Sequence, residues 1–151
     1  MIDDVDLKII SQLRADGRIS VNELSERVHL SQTPVARRLK QLEQNGVIKG
    51  YAAIVDEKKI GFGFSVFVSV RLDKQIDDKL AIFEAKIQQM PEVADCWLMT
   101  GNYDYLLRII SKDIEGYEKF LLSELTRIDG VATIESSIPL RRVKADGART
   151  F

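Results

Sequence analysis

The chain has one cysteine, Cys96, and one histidine, His29, in 151 residues. A single cysteine excludes an internal disulfide, and one His beside one Cys speaks against a His/Cys zinc site within one chain. No apolar run approaches the about 20 residues of a membrane span, so no membrane partner is expected. The opening MIDDVD is acidic and has no signal-peptide core, which predicts a cytoplasmic protein. There is no paired catalytic motif to go with the one His and one Cys, which argues against an enzyme and for no cofactor. Cys96 stands in an apolar stretch with no histidine near it in sequence, so it reads as core, with Trp97 on the opposite strand face and placed for a subunit contact. Excess charge is also lacking. The net is −1, which argues against indiscriminate nucleic-acid binding.

That total hides an asymmetry. Residues 1–60 hold ten Lys/Arg against nine Asp/Glu, and residues 61–151 hold twelve against fourteen. Within residues 31–50, Arg37, Arg38, Lys40 and Lys49 meet only Glu43. In this stretch Val35, Leu39 and Leu42 recur at i, i+4 and i+7, one stripe of a helix. At about 100° per residue, Thr33, Arg37, Lys40, Gln41 and Gln44 fall on the other side. Ser31 suits the N-cap, Pro34 is tolerated in the first turn, and Gly46 follows the last. Arg and Lys fit phosphates or guanine, Gln fits adenine, and Thr fits a methyl group. A lone basic helix is more often a solvated surface, so the reading depends on what precedes it.

What precedes it is two further helices. Asp3 can cap the first, whose apolar side is Val5, Ile9, Ile10 and Leu13, and Asp16-Gly17 ends it. Ser20-Val21-Asn22-Glu23 is a capping box for a short second helix with Val21, Leu24 and Val28 as its stripe. His29-Leu30 is a tight turn into the third. This is a helix-turn-helix arrangement, in which the third helix reads double-stranded DNA. Its candidate contacts are Ser31, Gln32, Thr33, Arg37, Arg38, Lys40 and Gln41. Arg38 lies toward the edge of the apolar stripe, where phosphate and an acidic side chain are both open as partners. Residues 47–55 read as a strand, and a domain boundary is expected near residue 60, after the charged break at residues 56–59.

The second half changes period. Phe64, Val66, Val68, Val70 and Leu72 alternate with polar residues as a strand with one buried face. Ile76, Leu80, Phe83 and Ile87 are spaced for a helix, residues 93–100 and 104–110 for strands around a Gly101-Asn102 turn. Asp113 caps a helix carrying Ile114, Tyr117, Leu121 and Leu125, and residues 131–140 form a last strand. Residues 90–94 faintly repeat in residues 128–132. The order is β-α-β-β-α-β, the ferredoxin-like pattern, with helices on one face and Phe67 on the other. An open face with apolar residues predicts self-association. The reading is α+β: a winged helix-turn-helix domain over residues 1–60 and a ferredoxin-like domain over residues 61–151.

Seven stretches together resemble the Lrp/AsnC (feast/famine) regulators. They are Ile2-Asp3-Asp4-Val5-Asp6 with Ile9-Ile10; Asp16-Gly17-Arg18; Glu23-Leu24-Ser25; Leu30-Ser31; Arg38-Leu39-Lys40-Gln41-Leu42-Glu43; Gly46-Val47-Ile48-Lys49-Gly50-Tyr51; and Thr100-Gly101-Asn102-Tyr103-Asp104-Tyr105. The resemblance covers nearly the full chain. It implies a transcription regulator of amino-acid metabolism genes, with a free amino acid as effector and homodimers that assemble into octamers. Mapped by position, Leu98, Gly101, Asp104, Ile114, Thr126 and Ser137 would line the effector site. Backbone near Gly101 would meet the ligand carboxylate and Asp104 its ammonium, and Leu98 and Ile114 suit an aliphatic side chain. One departure is His29, where the family often carries Gly. An architectural protein that wraps DNA without an effector is the alternative.

Overall fold

The computed structural model describes residues 2–74 and 77–144. The chain divides into two compact units, one running up to Ile54 and joined by Val143 and Lys144, the other Val55–Arg142. The charged break belongs to the second unit, where Arg108 donates to Glu57 at 3.1 Å.

Three helices build the first unit: α1 (Asp4–Ala15), α2 (Val21–Val28) and α3 (Gln32–Gln44). Each start follows from local chemistry. Asp3 accepts from the Asp6 N–H at 2.9 Å while Asp6 accepts from the Asp3 N–H at 3.1 Å, a full capping box. Ser20 and Glu23 repeat the device at α2. Ser31 has N-cap backbone, φ −71° and ψ 158°, but its side chain makes no capping bond. Ile9, Leu24, Val28, Val35 and Leu42 close on one another as a small core, with Val5, Ile10, Leu13, Val21 and Ile48 around it. Each such side chain, fully buried, contributes roughly 1.5–3 kcal/mol.

The strand expected over residues 47–55 does not form. The N–H groups of Val47 and Ile48 turn back onto the Leu42 carbonyl, both at 3.0 Å, as the end of α3. Beyond them no secondary structure is assigned up to Asp56, and Ile54 is 91% exposed. A strand needs a partner strand, and no strand is assigned in this unit among the described residues.

The second unit runs β1 (Phe64–Leu72), α4 (Asp77–Ile87), β2 (Val93–Leu98), β3 (Tyr105–Ser111), α5 (Ile114–Ser123), a single 3₁₀ turn Leu125–Arg127 and β4 (Val131–Ser137). The sheet is antiparallel, in the order β2-β3-β1-β4. Val66, Val68 and Val70 of β1 and Leu107 and Ile109 of β3 point to one face, where Phe83 and Ile87 of α4 and Tyr117 and Phe120 of α5 cover them. The repeated segments share a turn. The Val93 N–H bonds the Met90 carbonyl at 3.1 Å, and the Val131 N–H bonds the Ile128 carbonyl at 3.2 Å.

Several expected boundaries shift. β2 stops at Leu98, where the Met99 N–H to Asp104 carbonyl bond, at 2.8 Å, closes the turn to β3. β4 stops at Ser137, and Leu140 is fully exposed. Ile76 lies outside the described residues. Ile114 leaves the expected stripe and is 59% exposed, and Phe120 takes a core position instead. Leu125 is buried, but in the 3₁₀ turn rather than in α5. Cys96 is exposed on the edge strand β2, not core. Its neighbour Trp97 is on the opposite, open face, as the alternation requires.

Candidate nucleic-acid interface and effector site

The α2–α3 turn depends on one residue. His29 adopts φ 57° and ψ 44°, the left-handed conformation, with its N–H on the Glu26 carbonyl and that of Leu30 on the Ser25 carbonyl at 3.0 Å. Ser25 and Val28 are buried beneath it, so the turn is held from inside. α3 then leaves with Val35 and Leu42 in the core and Thr33, Arg37, Lys40, Gln41 and Gln44 exposed. Among the expected contacts, Ser31 is exposed at the helix start. Gln32 donates to Asn22 of α2. Arg38 is turned sideways: its Nη1 meets Asp3 at 2.7 Å and Asp6 at 2.8 Å. Bonds to the Asp6 N–H and then to Arg38 hold the Asp3 carboxyl below its ordinary value. Below α3, the Tyr51 hydroxyl donates to Glu43 at 2.8 Å; burial first, then that carboxylate, pushes its pKa up to about 12.

The face is therefore cationic and amide-bearing, with no carboxylate among its exposed side chains. Such a surface approaches phosphates with its cations and base edges with its amides.

In the second unit, the turn after β2 carries Gly101 at φ 114°. Met99 and Asp104 close it through their backbone bond, and the Asp104 N–H reaches the Val70 carbonyl at 2.9 Å. Asp104 is buried. One of its carboxylate oxygens accepts from the Leu72 N–H at 2.7 Å, beside a register shift in the β1–β4 pairing. Asp104 thus pins β1 to the turn. A shallow hollow of about 220 Å³ lies against the turn, lined by Ser69, Met99, Thr100, Asn102, Tyr103, Tyr105 and Leu106. The Tyr103 hydroxyl donates to Glu135, which raises its pKa, and Tyr105 donates to Glu84 at 2.8 Å.

The six expected effector residues do not meet within one chain. Leu98 pairs with Tyr105, and Val70 pairs with Tyr105 from the other side, so Leu98, Gly101 and Asp104 share one end of the sheet. Ile114 begins α5 after Ser111, which pairs with Phe64 at the other end. Ser137 lies opposite Phe67, also away from the turn. Thr126 sits in the 3₁₀ turn, its hydroxyl on the Leu122 carbonyl at 3.1 Å. The hollow's own lining, notably Met99, Asn102 and Tyr103, was not among the residues expected from sequence. The signal for it was an apolar and aromatic pair flanking the Gly-Asn turn. Among the described residues no three His, Cys, Asp or Glu converge to hold a metal, and no helix is long and apolar enough to cross a membrane.

Comparison with known proteins bears on both units. Residues 2–49 match a winged helix-turn-helix DNA-binding family, and residues 65–149 match the Lrp/AsnC ligand binding domain. A Bkd operon transcriptional regulator of Pseudomonas aeruginosa is 46% identical over 142 residues, 94% of this chain and 93% of that protein. A leucine-responsive regulatory protein of Rhizobium meliloti is 36% identical, over 95% of this chain and 92% of its own. The crystal structure of a transcriptional regulator from Neisseria meningitidis in complex with L-Met superposes with a TM-score of 0.91 at 36% identity, covering 96% of this chain and 94% of that one. A helix-turn-helix unit with an open reading face, a ferredoxin-like unit with a ligand-binding signature, and relatives matched almost end to end make this chain a member of the Lrp/AsnC family of DNA-binding transcription regulators, which are not enzymes.

Proposed function

We propose that this regulator senses a free amino acid between copies of its second unit and converts that occupancy into a change in operator binding at amino-acid metabolism genes. The observation that carries the reading is the Lrp/AsnC ligand binding match over residues 65–149 together with the Gly101 turn and its hollow. The neighbour solved with L-Met supports an amino acid as the class of ligand. Leu98, Gly101 and Asp104 lie at one end of the sheet, whereas Ile114 follows the strand end at Ser111 and Ser137 pairs with Phe67 in mid-strand, so we take two copies to be needed to bring the six residues onto one ligand. Backbone N–H groups near Gly101 would take the carboxylate, and Asp104 would supply the negative field for the ammonium. The open sheet face, with Phe67, Trp97, Leu106 and Ile110, supports a homodimer and higher assembly to octamers. In the first unit, Ser31, Gln32, Thr33, Arg37, Lys40 and Gln41 are the DNA contacts.

The test is thermal unfolding of the full chain against a panel of twenty amino acids. A ligand at about 100 times its dissociation constant stabilises by about 2.7 kcal/mol, a clear shift in midpoint. Such a shift with one amino acid, and a change in operator affinity at the same concentration, is the expected result. A panel without a shift would refute sensing while leaving DNA binding intact.

A further inference from the structure

Arg38 stands beside the reading face of α3, about 60° around the helix from Val35 and about 100° from Arg37. Sequence alone made it a candidate DNA contact. Its surroundings assign it elsewhere. The guanidinium Nη1 donates to Asp3 Oδ2 and Asp6 Oδ1, 35 and 32 residues away in the chain. The remaining oxygens are occupied too: Asp3 Oδ1 accepts the Asp6 N–H, and Asp6 Oδ2 accepts the Asp3 N–H. The capping box of α1 is therefore also a preformed clamp, and each of its four oxygens has a partner. Side-chain exposure is 26% for Arg38 and 11% for Asp6, so the link is partly shielded from solvent. Two carboxylates and one guanidinium sum to one negative charge, which leaves no local cation surplus to draw a phosphate.

We infer that Arg38 is a positioning residue for DNA recognition: held by Asp3 and Asp6, it sets the rotation of α3 against α1 and makes no phosphate contact itself. The inference rests on α3 being the helix that faces DNA. The physical reason is directional. Val35 and Leu42 anchor α3 by apolar contact, which is non-directional and tolerates rotation about the stripe. A charge-assisted link off that stripe does not. With it in place, Arg37, Lys40 and Gln41 are presented together at a fixed angle.

Operator and random-sequence DNA binding of the full-length protein, each measured over a range of salt, tests this. Removing a phosphate contact lowers the slope of log K against log salt by about 0.9. Arg38→Ala is expected to weaken operator binding about ten-fold or more with that slope unchanged, and to weaken random-sequence binding much less. General unfolding would lower both affinities by the same factor, so the selective loss separates misplacement of α3 from loss of folded protein. Asp6→Asn gives the sharper sign. Removing a carboxylate from a DNA-binding surface should tighten binding on charge alone, whereas loss of the clamp weakens operator binding. Arg38→Lys, able to meet one carboxylate at a time, is expected to recover part of the operator affinity. An Arg38→Ala slope lower by about 0.9, or an Asp6→Asn protein that binds its operator as tightly as the parent or tighter, would overturn the inference. The Arg37→Ala/Lys40→Ala protein keeps the two readings apart: if it binds as well as the parent, α3 is not the DNA helix at all.

Discussion

His29 carries a backbone conformation that glycine holds at no steric cost. At φ 57° an L side chain is strained by roughly 1–2 kcal/mol, offset in part by the roughly 0.5–1 kcal/mol of extra chain entropy that glycine loses on folding. His29→Gly is therefore expected to raise the stability of the first unit by up to about 1 kcal/mol, read as a higher denaturant midpoint with the slope unchanged. A lower midpoint would mean that the imidazole makes a contact worth more than the strain. Arg37 presents the opposite case, an exposed side chain whose value lies outside the fold. If it reads a guanine, Arg37→Ala loses about 1–3 kcal/mol of operator affinity and relaxes specificity at one base pair, with thermal stability unaltered. Equal losses across all sequences would reassign it to phosphate. Asp3 adds a pH consequence. Its folded carboxyl lies below the ordinary 3.8, so its stabilisation is complete above that value and is lost as pH falls through the lowered one. The stability difference between parent and Arg38→Ala should stay constant from about pH 8 to about pH 5 and close only in stronger acid. A difference that shrinks near neutrality would implicate another group.

At the scale of elements, what the sequence made legible was whatever is decided within four or five residues. Both capping boxes, the Asp113 cap, the β1 alternation and the helical stripes of α1 to α3 are local, and they stand where the residues put them. Residues 47–55 are apolar enough to read as a strand but have no strand to pair with among the described residues of their unit, and pairing is not written in the segment itself. Ile114 matches the helical period of α5 yet points outward, because the helix packs through Tyr117 and Phe120. The site residues divided in the same way. The exposed face of α3 follows from the helical period alone, because one helix displays it. The resemblance groups the effector residues by position in the chain, but the register of β1 with β3 and β4 separates them, and register is a tertiary property. Asp104, which the resemblance makes the partner of the ligand ammonium, lies buried and accepts from the Leu72 N–H. Asp104→Ala would leave that donor unpaired, and the second unit should lose roughly 1–3 kcal/mol of stability. An unchanged unfolding midpoint would show that water or a neighbour takes over the bond. Gly101 is a second probe of the same turn. A Cβ there meets nothing within 4 Å, so Gly101→Ala strains the turn only through its φ of 114°. Lower amino-acid affinity is expected together with a stability loss of roughly 1–3 kcal/mol from that strained φ, and equal affinity would move the carboxylate site away from this turn.

For the whole molecule, the proposed function makes the open face of the sheet the link between sensing and assembly. Phe67 lies on that face between Arg108 and Ser137, only half buried in the single chain, while Trp97 is 45% exposed. A charge at Phe67 costs the isolated fold little, because the side chain is not part of the core against α4 and α5. In an assembled face it would be desolvated without a partner, at a cost of several kcal/mol. Phe67→Glu should therefore lower the mass seen by light scattering while far-ultraviolet dichroism stays that of the parent. If the amino-acid site is completed by a second copy, the same variant should also lose amino-acid binding in calorimetry, although Phe67 itself is not among the expected ligand contacts. Operator affinity should fall as well, since a dimeric helix-turn-helix protein meets two half-sites about one helical turn apart and a single copy meets one. A Phe67→Glu monomer that still binds the amino acid with parental affinity would place the whole sensing site within one chain, and sensing would then have to reach α3 by a route that assembly does not carry.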